Sequence, residues 1–362
     1  MVTSNASWAY RDEFHDAFAR TFYRRFGDGL VSSIGVGTYL GDPTDEVDER
    51  YHDAIVEALA TGVNVVDTAI NYRCQRSERV VGRALADSDV DRDAVLVSTK
   101  GGFVPFDGSR PADPGAYIQS EYVDTGIVDP DELVRGSHCM APAFLDDQLD
   151  RSLANLDLDT IDLYYVHNPE TQLAEHDRET VYDRLEAAFE RLEERAAAGD
   201  IDHYGVASWE CFRVPADHDS YLSLAAVIAR ARSAAKAAGN AATHFRAIQL
   251  PFNVHMADAF TVESQPAADG PVSTLRLAHE ADLDVFTSAS ILQGDLADGL
   301  PEDVNARVAG ETAVQRAINF ARSAPGVTSS LVGASRTEHV AENVDAGRFE
   351  PLGADAFDGT FE

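Results

Sequence analysis

Lysine is almost missing from this chain. Of 29 basic residues in 362, only two, Lys100 and Lys236, are lysines. Cysteine is scarce too. Cys74, Cys139 and Cys211 are odd in number and widely spaced, which indicates neither a disulfide framework nor a zinc site. No metal site is expected. No apolar run reaches the ~18 residues of a membrane span, and the opening MVTSNASWAYRDEF has no secretory core. These absences predict a cytoplasmic protein with no membrane partner. Positive charge is also short: 62 acids against 29 bases give a formal net charge of −33. That excludes nucleic acid as the expected partner, because phosphates need a basic face, and disfavours anionic lipid. The acids are spread along the chain. Spread acidity with depleted lysine is the pattern of a halophilic protein, archaeal in the first instance, since salt screens the self-repulsion.

What is present is a core-forming alternation. The chain is 44% hydrophobic, enough for one large α/β barrel. Apolar runs read as strands at 30–38, 63–67, 94–100, 161–167, 201–208, 245–250, 283–290 and 327–335. Helical patterns fall at 46–60, 77–86, 145–156, 178–198, 220–238, 272–281, 305–323 and 337–346. Within 178–198, Val181, Leu185, Ala188, Phe189 and Leu192 follow a helical period, and Ser77 reads as an N-cap. Eight strand–helix repeats predict a single (β/α)8 TIM barrel over residues 30–350. Gly35, Gly37 and Gly41 follow the first strand, but Pro43 and a polar stretch separate them from the next helix, so they form no dinucleotide fingerprint. Residues 1–29 are an N-terminal extension, with Tyr10, Phe14, Phe18, Phe22 and Phe26 at four-residue intervals. That spacing predicts a helix covering the barrel bottom. Residues 101–142 form a long loop after the third strand, and its length predicts a functional segment over the active face. There Phe103, Phe106, Tyr117 and Tyr122 are candidates to line or cover a pocket. Residues 351–362 read as an acidic tail.

Three expected strands end in polar side chains. AVLVSTK ends in Lys100, NVVDTAINY places Asp67 at a strand end with Tyr72 shortly after, and IDLYYVHNP carries His167. Each alone reads as an ordinary strand-end residue. In a barrel, however, carboxyl ends of strands build the active site, and the four together form an acid–base set. A tyrosine, with a pKa of ~10, exchanges protons poorly at neutral pH. A nearby ammonium favours its phenolate, and an aspartate keeps that ammonium charged and aimed. A histidine across the pocket orients a carbonyl oxygen. The set has no nucleophile and no serine-centred triad. It protonates an oxyanion as it forms, and its natural partner reaction is hydride addition from a cofactor.

The chain resembles the aldo-keto reductases from about residue 32 to 346. The motifs are GVGTYLG, NVVDTAINYRCQRSERVVGRAL, VLVSTKGG, LDRSLANLDLDTIDLYYVHNPE, HYGVASWE, AIQLPFN and SSLVGASRTEHVAENVDA. The resemblance implies a catalytic tetrad of Asp67, Tyr72, Lys100 and His167. It places Gly37 and Thr38 near a nicotinamide and Ser208 and Gln249 on its carboxamide. Asn is commoner in the family at the first of these, and Ala207 stands where Ser is usual. Phe252 falls near the position of a stacking aromatic. Residues 288–294 resemble the pyrophosphate loop, with Ser288, Ser290, Ile291 and Gln293 as contacts and Ser290 in place of a proline. Gly333, Ala334, Ser335 and Arg336 resemble the adenosine-phosphate loop, with Glu342 and Asn343 near the adenine. Tyr39, Phe103 and Asn168 fall beside the substrate. Gly333 and His339 occupy positions where many members carry Lys and Arg, which leaves Arg336 to read a 2′-phosphate. NADP is the expected cofactor and NAD the alternative. The partner is a small carbonyl or alcohol; the pattern carries no signal for oligomeric state. Two other functions remain open: a non-catalytic, cofactor-sensing regulatory protein, and a lyase or isomerase using Tyr72 and Lys100.

Overall fold

The computed structural model describes residues 2–361; Met1 and Glu362, the outer ends of the expected extension and tail, lie outside the described residues. The chain opens with helix α1 (Ser4–Phe14), then an antiparallel hairpin, β1 (Tyr23–Phe26) and β2 (Gly29–Ser32). Eight further strands make the barrel: β3 (Ile34–Gly37), β4 (Val65–Asp67), β5 (Leu96–Gly101), β6 (Ile161–His167), β7 (Ile201–Ala207), β8 (Phe245–Pro251), β11 (Asp284–Ser288) and β12 (Val327–Gly333). They are all parallel and close in the order β11-β12-β3-β4-β5-β6-β7-β8. A short pair, β9 (Glu263–Gln265) and β10 (Val272–Ser273), lies outside the barrel.

The crossover helices are α2 (Asp45–Ala60), α3 (Arg76–Asp87), α5 (Pro142–Leu156), α6 (Arg178–Ala198), α7 (Leu224–Ala237), α9 (Thr274–Glu280), α11 (Ala313–Ser323) and α12 (Thr337–Asp345). Local chemistry sets their ends. Thr44 caps α2 through the Val47 amide, and Asp45, Glu46 and Asp48 oppose the helix dipole in its first turn. Asp177 caps α6 through the Thr180 amide at 2.8 Å, and Gly199, at φ 90, ends it in the left-handed conformation that glycine tolerates. Inside the barrel, Val65, Leu96, Leu163, Tyr165, Phe286 and Leu331 share one buried cluster with Phe26. A second apolar layer joins the outer face of the strands to the helices.

Several expectations need correction. The run 30–38 is two strands, because the chain turns at Ser33 from the hairpin into the barrel. The aromatic extension is α-helical only through Phe14, with one further 3-10 turn at His15–Ala17; Phe22 precedes the hairpin and Phe26 ends its first strand. Phe26 packs edge-on to Phe286 at 5.9 Å, so the hairpin rather than a long helix fills the barrel bottom. Ser77 is not an N-cap: α3 is preceded by Gln75 in a left-handed conformation, and Ser77 donates to the Thr38 carbonyl. The pattern at 305–323 divides into α10 (Glu302–Arg307) and α11, and the start of 272–281 is strand. The acidic tail holds α13 (Ala354–Asp358), whose Phe357 is buried against Phe252, Phe260 and Phe320. Residues 101–142 are not an open loop. Helix α4 (Pro114–Ile118) runs into a wide turn at Gln119–Val123, and Val104, Tyr122, Val128, Cys139 and Phe144 form a small core there.

Candidate active site

The register of β4 and β5 brings two charges together inside the fold. Asp67 and Lys100 end adjacent parallel strands, and the Lys100 Nζ lies 2.6 Å from Asp67 Oδ2 and 2.7 Å from the Thr68 carbonyl. Lys100 has no solvent exposure. The other Asp67 oxygen accepts from Ser98 Oγ at 2.7 Å and Gln249 Nε2 at 2.8 Å. A buried carboxylate is tolerable only when its lone pairs are met in this way. Burial lowers the Lys100 pKa, and the Asp67 charge opposes that shift. Tyr72 follows β4 and stands above the pair, with the Nζ 5.0 Å from its ring centroid. Its ring meets His167, from the end of β6, at 6.0 Å and Tyr39 at 5.0 Å.

The protonation states follow. Burial pushes the Tyr72 phenol well above its ordinary value, and the Asp67 and Tyr39 charges add to that rise. The expectation that Lys100 pulls this pKa down is therefore not met in the free site, where desolvation dominates. The phenol rests as a proton donor. Burial and the Lys100 charge hold the His167 imidazole well below its usual range, so it rests neutral. Its Nδ1 has no hydrogen-bond partner among the described residues. No cluster of metal-ligating side chains is found among the described residues.

A cavity of about 760 Å³ opens from this set. Asp67, Tyr72 and His167 line it with Tyr39, Phe103 and Asn168, while Lys100 sits behind the wall. Gly37, Thr38, Ser208 and Gln249 form the adjoining floor. The cleft continues past Ser288, Ser290, Ile291 and Gln293 to Gly333 and Ser335, and ends beside His339, Glu342 and Asn343. Ala334 is buried, and Arg336 is exposed outside the wall. Phe252 does not reach the cavity; it is fully buried and stacks on Phe320 at 6.1 Å. Of the four aromatics of residues 101–142, Phe103 alone lines the cavity. Sequence reasoning missed Asn71, Leu40 and Trp209. Trp209 is 45% exposed at the mouth, and a tryptophan just beyond a strand end was the signal available for it. It also missed Glu170, whose Oε1 accepts from Ser208 Oγ, the Trp209 amide and the Glu210 amide at 2.8–3.1 Å and so fixes that loop.

The sequence profile of the aldo/keto reductase family matches residues 33–225, just over half of the chain. The chain belongs to this family. A curated relative, the uncharacterized oxidoreductase YqkF of Bacillus subtilis, is 25% identical over 332 residues, 87% of each protein. The aldo-keto reductase AMT2 of Alternaria alternata is 32% identical, over 44% of this chain and 46% of its own length. Among solved structures, an aldo/keto reductase from Klebsiella pneumoniae in complex with NADP and acetate superposes with a TM-score of 0.62, at 21% identity and 94% coverage of both chains. The glycerol dehydrogenase of Gluconobacter oxydans gives 0.63 at 18% identity and 95% coverage of both. At such identities the structures establish the (β/α)8 fold.

This aldo/keto reductase has an unusual turn behind Tyr72. Arg73, Cys74 and Gln75 are all left-handed, at φ 49, 58 and 68, which is costly for non-glycine residues and needs outside support. The support is Arg73. Its buried guanidinium pairs with Asp48, donates to the Asp42 and Thr44 carbonyls and lies 5.3 Å from the Tyr51 ring. The Tyr72 turn is thereby tied to the loop that carries Tyr39 and Leu40 into the cavity.

Proposed function

We propose that the protein is a nicotinamide-dependent oxidoreductase that interconverts an aldehyde, ketone or sugar carbonyl with its alcohol, with NADP as the preferred cofactor and NAD as the alternative. One observation carries this reading: a fully buried lysine–aspartate pair stands under a protonated tyrosine that opens, beside a neutral histidine, into a long cleft. The cleft suits a dinucleotide. Gly37 and Gly333, paired across β3 and β12, leave bare backbone on its floor. Left-handed Ala289, Leu292 and Gln293 curve the loop along its wall. Ser208 and Gln249 offer donors and acceptors at the tetrad end, and Ser335, His339 and Asn343 do so at the far end.

When bound, the reduced nicotinamide supplies hydride to the carbonyl carbon. Tyr72 gives its phenolic proton to the carbonyl oxygen as the π electrons move there, and solvent later restores that proton. Lys100 stabilises the phenolate this leaves, and Asp67 holds Lys100 in place. Neutral His167 offers an N–H to the same oxygen and fixes its approach. Tyr39, Phe103 and Asn168 face the substrate. The acidic, lysine-poor surface makes molar salt the medium for the assay. A panel of aldehydes and ketones, with NADPH and NADH in parallel, tests the proposal through loss of nicotinamide absorbance. Carbonyl-dependent oxidation is expected. Tight cofactor binding with no oxidation across the panel would refute reduction and favour a cofactor sensor.

A further inference from the structure

Residues 101–142 send a histidine behind the catalytic one. His138 has no solvent exposure, and its Nε2 lies 2.8 Å from the backbone carbonyl of His167. Its other nitrogen faces the side-chain amide of Gln172 at 2.8 Å. The tautomer follows from the next residue along. Arg184, on α6, donates to Gln172 Oε1 at 2.6 Å. A guanidinium can only donate, so that Gln172 atom is the oxygen, and the atom facing His138 is the amide nitrogen, a donor. It donates to His138 Nδ1 and, at 3.2 Å, to the His138 carbonyl. Nδ1 is therefore an acceptor, and the ring proton sits on Nε2, aimed at His167. Three groups donate in one direction, Arg184 to Gln172, Gln172 to His138 and His138 to the His167 carbonyl, which accepts at the end of the chain.

The fold is arranged to permit this. Gly102 lies between the two histidines at φ 139, and a Cβ there would stand 3.0 Å from the His167 carbonyl oxygen and 3.2 Å from His138 Nε2. Residue 138 is held in an antiparallel bridge with Phe103, and the flanking bonds run from Val104 to Ser137 and from Cys139 to Gly102, each 2.8 Å. Phe103 stacks edge-on to His138 at 4.8 Å and to His167 at 5.2 Å, so one ring supports both. His167 is where β6 leaves the ladder; Asn168 after it is left-handed, at φ 49. With its Nδ1 unpartnered among the described residues, the His167 ring is aimed by its backbone and by Phe103.

We infer that His138 is a positioning residue: its Nε2–H pins the His167 carbonyl and, with Phe103, aims the His167 imidazole at the substrate oxygen. The inference rests on the reductase reading for its catalytic consequence but not for the relay itself. It also gives residues 101–142 a role beyond covering the pocket, since they complete the support of a tetrad member. A misplacement of about 1 Å at a reacting centre can cost about a hundredfold.

Two measurements test it. Nitrogen-15 histidine spectra of the wild-type protein should show His138 as the neutral Nε2–H tautomer at pH 7; an Nδ1–H tautomer or an imidazolium would overturn the relay. His138→Phe keeps a ring but loses the donor, and should lower kcat about tenfold or more at unchanged cofactor affinity. His138→Gln, which can place an amide N–H near the same spot, should recover to within about threefold of wild type. A kcat for His138→Phe within twofold of wild type, or no recovery with glutamine, would refute the positioning role. If His138→Phe does not fold, Gln172→Leu, which removes the donor that holds the His138 ring at Nδ1 but leaves Nε2–H facing the His167 carbonyl, carries the test: the Nε2–H tautomer and a lower kcat are expected, and a wild-type kcat would refute the positioning role. If the wild-type protein turns over no carbonyl, the reductase reading fails, and the spectrum alone decides the relay.

Discussion

Replacing Lys100 by methionine removes one charge and little volume from the centre of the site. The ammonium lies 5.0 Å from the Tyr72 ring centroid. At an effective dielectric near 20, an ammonium and a phenolate oxygen on the order of 5 Å apart attract by about 3 kcal/mol, roughly two orders of magnitude in favour of the phenolate. Tyr72 becomes that phenolate only as it gives up its proton, so the loss falls on the transition state and product rather than on substrate binding. Lys100→Met should therefore lower kcat by about a hundredfold and leave the cofactor dissociation constant nearly unchanged. The complication is stability, because Asp67 is left as a buried charge, and breaking such a pair costs about 3–5 kcal/mol. The double variant Asp67→Asn/Lys100→Met removes both charges. It should regain thermal stability over Lys100→Met while turnover stays low. Lys100→Arg should fail as well, since a planar guanidinium cannot occupy a socket closed by Asp67 Oδ2 and the Thr68 carbonyl at 2.6 and 2.7 Å. Steady-state rates in molar salt, paired with cofactor fluorescence titration, give both quantities. Turnover within tenfold of wild type in the double variant would refute the electrostatic role of Lys100.

Three further outcomes are expected. Tyr72→Phe should lose a factor of about 10²–10⁴ in kcat with cofactor binding retained by fluorescence titration; a loss under tenfold would remove Tyr72 as the proton donor. Arg336→Ala should weaken NADP by a contact worth about 1.5–3 kcal/mol and leave NAD nearly unchanged; equal losses in the two dissociation constants would show that Arg336 does not read the 2′-phosphate. Burial lowers the His138 pKa to about 4, so the folded protein resists a proton that the unfolded chain takes up near 6.5. This contribution to stability is complete above about pH 6.5 and is lost as pH falls toward 4, and His138→Gln should flatten that part of the stability curve measured by denaturant titration.

The barrel was legible because its strands are buried on both faces. β6 and β7 read as mainly apolar runs, interrupted by Asp162 in the first and by Asp202 and His203 in the second, and their observed ends match the pattern to within a residue. The clustering of Asp67, Tyr72, Lys100 and His167 was legible because each stands at a strand end or just past one, where local sequence fixes its place. The first strand was misread because an apolar run does not record a turn at Ser33, and β2 and β3 are both buried. Phe252 was misplaced for a related reason: an aromatic just after a strand can face the cleft or the outer layer, and here Phe320 and Phe357 claim it. The direction of the Tyr72 shift depended on burial, which spacing along the chain does not carry.

The groups that hold the site together are of another kind. Arg73 is held by Asp48, 25 residues away, and His138 is held by Gln172, 34 residues away. Neither pairing follows from periodicity: one joins the turn after Tyr72 to the first turn of α2, the other joins the segments after β5 and β6, and each approach is set by the closed barrel. Both contacts are nonetheless specific in chemistry. A buried guanidinium needs an acid and carbonyls, and a buried imidazole needs one donor and one acceptor. Buried polar residues outside any expected strand end were therefore the remaining signal in the sequence, and Arg73 and His138 both lie in its loops. In this chain the strands bring the candidate reacting groups to one place, and on the proposed reading the loops between them decide how tightly those groups are aimed.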